Sequence, residues 1–209
     1  LALDGERGVG TVRLLEPNQM IAEREGWDLG IDMEHLFDLS YYKKHGIHIA
    51  EIPRSSLLPR YRGTNIMMRL WGCTIKYAQQ KGFNYLCADG NTETDDDIEA
   101  RILYCALLQR GSIHPEIVTP PKVDPVKECP STHHIFTKDA IESLGTLDKL
   151  REKDLTGFQE PTTLGLFTRL GLKYTSRPIY YPKFDRYAIP MFFDLVNGMT
   201  PIARRYFAE

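Results

Sequence analysis

The stretch from Ile47 to Asp89 constrains this chain more than any other. Ile47, Ile49, Glu51, Pro53, Ser55 and Leu57 alternate with their neighbours, which is the period of a β-strand over 47–58. Arg60-Tyr61-Arg62-Gly63-Thr64-Asn65 follows. Met67, Leu70, Trp71, Thr74, Ile75 and Ala78 then recur at helical spacing over 64–82, with Gly82 as the stop. Phe83 to Ala88 is a short continuous apolar run that predicts a second strand, ended by Asp89-Gly90-Asn91. A strand, a turn, a helix and a strand in that order call for an α/β architecture with the turn at the helix N-terminus. Pro53 has no N–H to give a ladder, so it belongs at an edge, a bulge or a place where neighbouring strands part.

The remaining chain supplies partners for this unit. Asp4-Gly5 followed by Val9, Thr11, Arg13 and Leu15 reads as a turn into an alternating strand, half of a hairpin. Residues 17–33 read as a loop with at most a short helix, and 33–45 as a helix. Thr94 is the expected N-cap of a helix over 95–110, with Asp95, Asp96 and Asp97 at its positive end and Ile98, Ile102, Cys105 and Leu108 on its buried face. Residues 112–134 carry five prolines and no period, a connector or insertion. A helix over 141–155 and a short one over 162–170, stopped by Gly171, precede extended runs at 174–181 and 188–195. At 209 residues, 42% of them hydrophobic, the chain fits one domain over 1–209, with the segment 93–159 as a helical, proline-rich insertion.

Composition also narrows function. No run approaches the roughly 18 apolar residues that cross a bilayer, so the expectation is a soluble cytoplasmic protein without a transmembrane segment. The opening without Met, inside an apparent strand, leads us to expect further residues upstream. A net charge of −2 argues against a protein that coats nucleic acid. Cys73, Cys87, Cys105 and Cys129 form no C-x-x-C, and they read as reduced core thiols. His45, His48, His133 and His134 lack a companion set at ligand spacing, so no metal site is expected.

The turn at 60–65 carries the chemistry. Free N–H groups and the helix dipole converge there on an anion, Gly63 allows close backbone approach, Thr64 can cap the helix, and Arg60 and Arg62 add positive charge. The same pattern also makes an ordinary capped turn. Here the segment resembles the GNAT superfamily, whose motif R/Q-x-x-G-x-G/A follows the fourth strand and opens the third helix. Arg60 and Gly63 match its first two positions, and Asn65 departs from the last. Leu166-Phe167-Thr168-Arg169-Leu170-Gly171-Leu172 resembles the short helix and Leu-Gly element before that superfamily's sixth strand. The resemblance covers 1–92 and 160–196. It implies a three-layer α/β (α+β) fold with a central mixed, splayed sheet, and an anion site at Arg60, Arg62, Gly63, Thr64 and Asn65 for a phosphopantetheine donor.

Within the superfamily, Glu51-Ile52-Pro53-Arg54 resembles the E-x-x-R pattern of acyl-homoserine lactone synthases and long-chain N-acyl amino acid synthases. That likeness implies an N-acyltransferase moving a fatty acyl group from an acyl carrier protein thioester to the amine of an amino acid, aromatic ones such as tyrosine included. Lactone synthesis, coenzyme A-dependent acetylation and a non-enzymatic acyl-carrier-binding module stand as alternatives. It implies no tightly bound cofactor, only the phosphopantetheine of the carrier or coenzyme A. Glu51 is the expected base, and Arg54 holds the acceptor carboxylate or pairs with Glu51. Backbone N–H groups around Leu57 and Leu58 are expected to stabilise the oxyanion, a contact type worth about 3 kcal/mol. Arg60, Arg62, Arg69, Lys76 and Lys81 form a basic patch that suits an acidic carrier protein or a solvated helix face. Tyr180, Tyr181, Phe184, Phe192 and Phe193 read mostly as core, a minority joining Met67 and Met68 along an acyl tunnel.

Overall fold

The computed structural model describes residues 1–207. A mixed sheet of seven strands runs in the order β1 (Ala2–Asp4), β2 (Arg7–Leu15), β3 (Ile49–Leu57), β4 (Tyr85–Asn91), β7 (Arg186–Asp194), β5 (Lys173–Tyr174), with β6 (Ile179–Tyr181) also on β7. Every pairing is antiparallel except β3 with β4, which α3 (Ile66–Gln80) connects as a crossover. One face of the sheet carries α3, α6 (Thr162–Leu170) and α7 (Pro201–Phe207) over Ala50, Ile52, Leu86 and Phe193. The other carries α2 (Ser40–Lys44) and the 3-10 turn Asp32–His35, which bury Met33, Phe37, Leu39 and Tyr42 against Ile49, Cys87 and Phe192. Three layers result, with apolar side chains on both faces of the central strands.

Sequence and structure diverge where local pattern is weak. Residues 17–33 hold α1 (Gln19–Glu25), capped by the Asn18 side chain and ended by left-handed Gly26. The helix expected over 33–45 breaks into the 3-10 turn and α2, because Phe37 bridges to Pro121 and Asp38 N–H donates to the Pro120 carbonyl. β4 continues through Asp89, Gly90 and Asn91, since β7 supplies a partner for each. The helix expected over 141–155 is α5 (Lys138–Ser143) and a 3-10 turn at Leu150–Glu152.

The segment 93–159 is tied to the main core by α4 (Asp97–Gln109), whose Leu103 and Leu107 are buried with Leu164, Tyr174, Ile189 and Met191. Asp96, not Thr94, caps α4, and Ile98 is exposed while Glu99, Ala100, Leu103 and Ala106 lie inside. Asp95 stands before the helix, where its carboxylate accepts N–H bonds from Thr132 and His133 and an ion pair from Lys127, 2.5 Å away. Burial alone would raise its pKa, but the ion pair and these bonds outweigh it and hold the pKa well below the usual carboxylate range. Cys87 and Cys105 are buried free thiols, but Cys73 and Cys129 are exposed, which corrects the expectation of four core cysteines.

Candidate active site

The site is a parting of two strands. β3 pairs with β4 only at Ile49, Ala50 and Glu51, opposite Tyr85, Leu86 and Cys87. Beyond Glu51, β3 stays with β2 while β4 stays with β7. Between Arg13↔Arg54 and Leu15↔Glu51, β2 advances by two residues and β3 by three, so β3 carries one extra residue at Ile52-Pro53. Such a bulge bends the strand and resets its alternation. Glu51 faces Met33, and Ile52 faces α3. Past the bulge Arg54 lies over the Phe184 ring, 5.5 Å away, and Ser55 accepts a bond from Trp71 on α3. Glu51 and Arg54, three apart, therefore share a face; the single alternating face expected for Ile47 to Leu57 ends at Pro53.

The bulge also decides which backbone groups are available. Leu58 N–H donates to Val9 O at 2.9 Å, so it is committed to the sheet and is no oxyanion donor. Opposite residues in an antiparallel ladder alternate between bonded and non-bonded pairs, so the N–H groups of Ser55 and Leu57 point away from β2 into the gap. Pro53 has no N–H with which to close it.

The gap opens into a groove of about 840 Å³. Its floor and far wall are apolar: Met67, Met68, Trp71 and Ile75 from α3, Leu166, Phe167 and Leu170 from α6, Phe193 from β7 and Phe207 from α7. Of the aromatic set read from the sequence, Phe193 alone joins Met67 and Met68 there. Tyr180 turns away to donate to Asp185, and Phe192 is in the opposite core. Polar groups gather at the mouth, where Arg54, Ser55, Ser56, Arg62, Gly63, Thr64, Asp89 and Asn91 line the rim.

The anion turn is partly assembled as expected. Gly63 has φ 81°, a conformation that favours glycine, and nothing lies within 4 Å of where a Cβ would stand. Thr64 donates its hydroxyl to Tyr61 O, and Asn65 takes the N-cap position of α3 without a side-chain bond. Ile66 N–H donates to the Thr64 hydroxyl at 3.4 Å, and among the described residues no side chain bonds the N–H groups of Met67 and Met68. Arg62 lines the groove, whereas Arg60 hydrogen-bonds the Tyr61 hydroxyl at 2.8 Å and stacks on its ring, outside the groove lining. Asn65 is exposed and does not line the groove either. Arg60, Arg62, Arg69, Lys76 and Lys81 are all exposed.

Two carboxyls meet at the parting. Glu51 is fully buried; its Oε2 accepts Met33 N–H at 3.1 Å and its Oε1 has no partner. Burial first, then the nearby Asp89 charge, pushes its pKa up to about 8. Asp89, two residues past the partner of Glu51 on β4, is half-buried and on the groove wall. Burial raises it to about 6, with Asp32 adding to the rise and Arg54 and Lys183 opposing it. Tyr181 feels the same charges, and its hydroxyl pKa is also raised, chiefly by burial. Buried Glu34 braces this corner by accepting N–H bonds from Asp28, Leu29 and Gly30, which fixes the loop that brings Met33 to Glu51. Asp89, Asp32 and Glu34 carry no local sequence signal of a site. Only the strand register and the fold of the 28–34 loop bring them to Glu51.

A second acidic cluster lies away from the groove. Asp95, His133 and Asp185 place ligand atoms within 4.8 Å of one another, but Lys127 Nζ stands 2.5 Å from Asp95 and 2.7 Å from Asp185. An ammonium already supplies the positive charge there.

Residues 1–72 match the family model described as acetyltransferase (GNAT) domain, a stretch that includes β3 with its bulge and the anion turn but ends before β4. The mixed sheet flanked by helices is consistent with the GNAT fold, and the match supports acyl transfer as the class of chemistry. No curated protein and no solved structure matches the chain. No helix among the described residues is long and apolar enough to cross a membrane.

Proposed function

We propose that the protein is an N-acyltransferase that moves a long acyl chain from a phosphopantetheine thioester, carried by an acyl carrier protein, to the amine of an amino acid. The observation that carries this reading is the groove itself: about 840 Å³ in all, it has a polar mouth beside an anion turn and continues past it between the apolar side chains of α3, α6, β7 and α7. The phosphate of the donor sits at Gly63, Thr64 and Arg62. Its pantetheine arm enters the gap along Ser55 and Leu57, and its acyl chain lies among Met67, Met68, Trp71 and Phe193.

The reacting groups follow from the geometry. The amine lone pair attacks the thioester carbonyl carbon, and Leu57 N–H accompanies the charge that develops on oxygen. Asp89, ionised near neutral pH and exposed to the groove, takes the ammonium proton. Glu51, with a pKa of about 8 and no access to the groove, carries its own proton at pH 7 and acts from behind Asp89. The sequence reading gave Glu51 the base role; Asp89 fits it better because it lines the groove. The C–S bond breaks, the thiolate takes up the proton that the amine lost, and amide and thiol result. Arg54, held over Phe184 beside Asp89, binds the carboxylate of the acceptor.

Incubation with acyl-carrier and acyl-coenzyme A thioesters of several chain lengths and a pool of amino acids tests this. Free thiol and an N-acyl amino acid, detected by mass spectrometry, are expected with long-chain carrier donors. Thiol release with acetyl-coenzyme A alone overturns the donor assignment, and no release with any donor overturns acyl transfer.

A further inference from the structure

The three helices that wall the acyl groove turn a second face to the outside, and its charge is one-sided. α3, α6 and α7 carry Arg69, Lys76, Arg169, Arg204 and Arg205 and no acidic residue. They hold five of the chain's 26 lysines and arginines and none of its 28 aspartates and glutamates, which leaves the rest of the chain with a formal charge of −7. All five residues are exposed, and none forms an ion pair among the described residues. Asp194, the nearest acid before α7 in the chain, accepts N–H bonds from Val196 and Asn197 within its own turn.

Packing brings these charges onto one side of the molecule, because all three helices cover the same face of the sheet. α7 crosses α3 at Gly72, where a Cβ would stand 3.5 Å from Phe207 Cδ1 and 3.6 Å from Tyr206 O. Arg69 and Lys76 lie one turn to either side of that crossing. The Thr200 hydroxyl donates to Arg169 O at 2.8 Å, which fastens the start of α7 to the end of α6. Within α7, Ala203 and Phe207 are buried, while Ile202, Arg205 and Tyr206 form an outward stripe. Ile202 is 47% exposed and Tyr206 48%. A surface helix turns polar residues to water; here an aliphatic and an aromatic side chain stand out among arginines. An acidic protein would need only the charges. A bilayer uses both, since anionic headgroups attract the cations, an isoleucine enters the acyl boundary and a tyrosine ring rests at headgroup level.

We propose that α7, with Arg169 of α6 and with Arg69 and Lys76 of α3, docks the protein on an anionic lipid membrane. Arg169, Arg204 and Arg205 meet the headgroups, and Ile202 and Tyr206 enter the interface. The contact is peripheral and does not depend on the reaction assigned to the groove. Phe207, on the inner side of α7, lines that groove, so one short helix separates its apolar lining from the lipid.

Co-sedimentation of the full chain with vesicles tests the surface. Binding is expected to vesicles of phosphatidylcholine with roughly 30% phosphatidylglycerol and not to phosphatidylcholine alone, and it should weaken as ionic strength passes about 0.1 M. R204Q with R205Q should weaken binding at least about tenfold. I202S with Y206S, which leaves every charge in place, should weaken it at least about threefold. K43Q with K44Q removes the same charge from α2, on the other face of the sheet, and should leave binding within about twofold. No binding to the anionic vesicles overturns the proposal. So does binding unchanged by either α7 variant, and so does an equal loss in K43Q with K44Q, which reports net charge rather than this face. Binding of a soluble acidic acyl carrier protein that R204Q with R205Q abolishes, without vesicle binding, assigns the face to a protein partner and also overturns it. Urea unfolding curves check that each variant is folded.

Discussion

Asp89 and Glu51 show how far two carboxyls on neighbouring strands are driven apart by their surroundings. If Asp89 is the proton acceptor, the acylation rate rises with pH through its pKa of about 6 and then levels. Asp89→Asn should lower kcat/KM by roughly a hundredfold and flatten that limb of the pH profile; an unchanged profile removes Asp89 from the mechanism. Glu51 makes a separate prediction about stability. Its folded pKa of about 8 exceeds the ordinary 4.5, so the folded state holds a proton that the unfolded state has released between those values. Stability therefore falls as pH rises from about 4.5 to about 8, by an amount on the order of a few kcal/mol, and levels above. Glu51→Gln should remove most of this slope in urea denaturation at pH 5, 7 and 9. Glu51 and Arg54 were both legible in the sequence, but their roles were not. Whether a carboxyl is sealed beneath a loop or open to a groove depends on Glu34, Met33 and the 28–34 loop, which carry no local signature.

Elements with strong local signals were read well, and those held by distant partners were not. The helical period of α3 and the glycine stop of α6 were visible because each is written within one turn of the chain. The 33–45 segment broke because Pro120 and Pro121, more than eighty residues on, supply its hydrogen bond and bridge. β4 ran past Ala88 because β7 lies beside it, a neighbour that no window around Asp89 contains. The α6 terminus gives a prediction at this scale. Gly171 has φ 108°, and a Cβ there would stand 2.0 Å from Gly198 O, a backbone atom that cannot swing aside. Gly171→Ala should cost about 3 kcal/mol or more in urea denaturation, combining backbone strain with a forced shift of the 194–198 turn. A loss within a few tenths of a kcal/mol would mean that this turn yields freely.

At the scale of the whole molecule, a net charge of −2 coexists with an exposed basic set spread along the anion turn and α3, Arg60, Arg62, Arg69, Lys76 and Lys81, of which Arg62 lines the groove. If an acidic carrier docks there, its kcat/KM should fall steeply as ionic strength passes about 0.1 M, where the Debye length is near 10 Å, while kcat changes little. A salt-insensitive kcat/KM would argue for a neutral docking face. The parting at Pro53 has a broader meaning at this scale. β1 to β3 form one panel and β4 to β7 another, joined edge to edge by three residue pairs, Ile49 to Glu51 with Tyr85 to Cys87. The sheet is thus two plates on a short seam, and proline acts as a wedge that stops the seam from running further. The angle between the plates is therefore set less by the seam than by the two covering layers, which pack on strands of both plates, α3, α6 and α7 on one face and α2 with the 3-10 turn on the other.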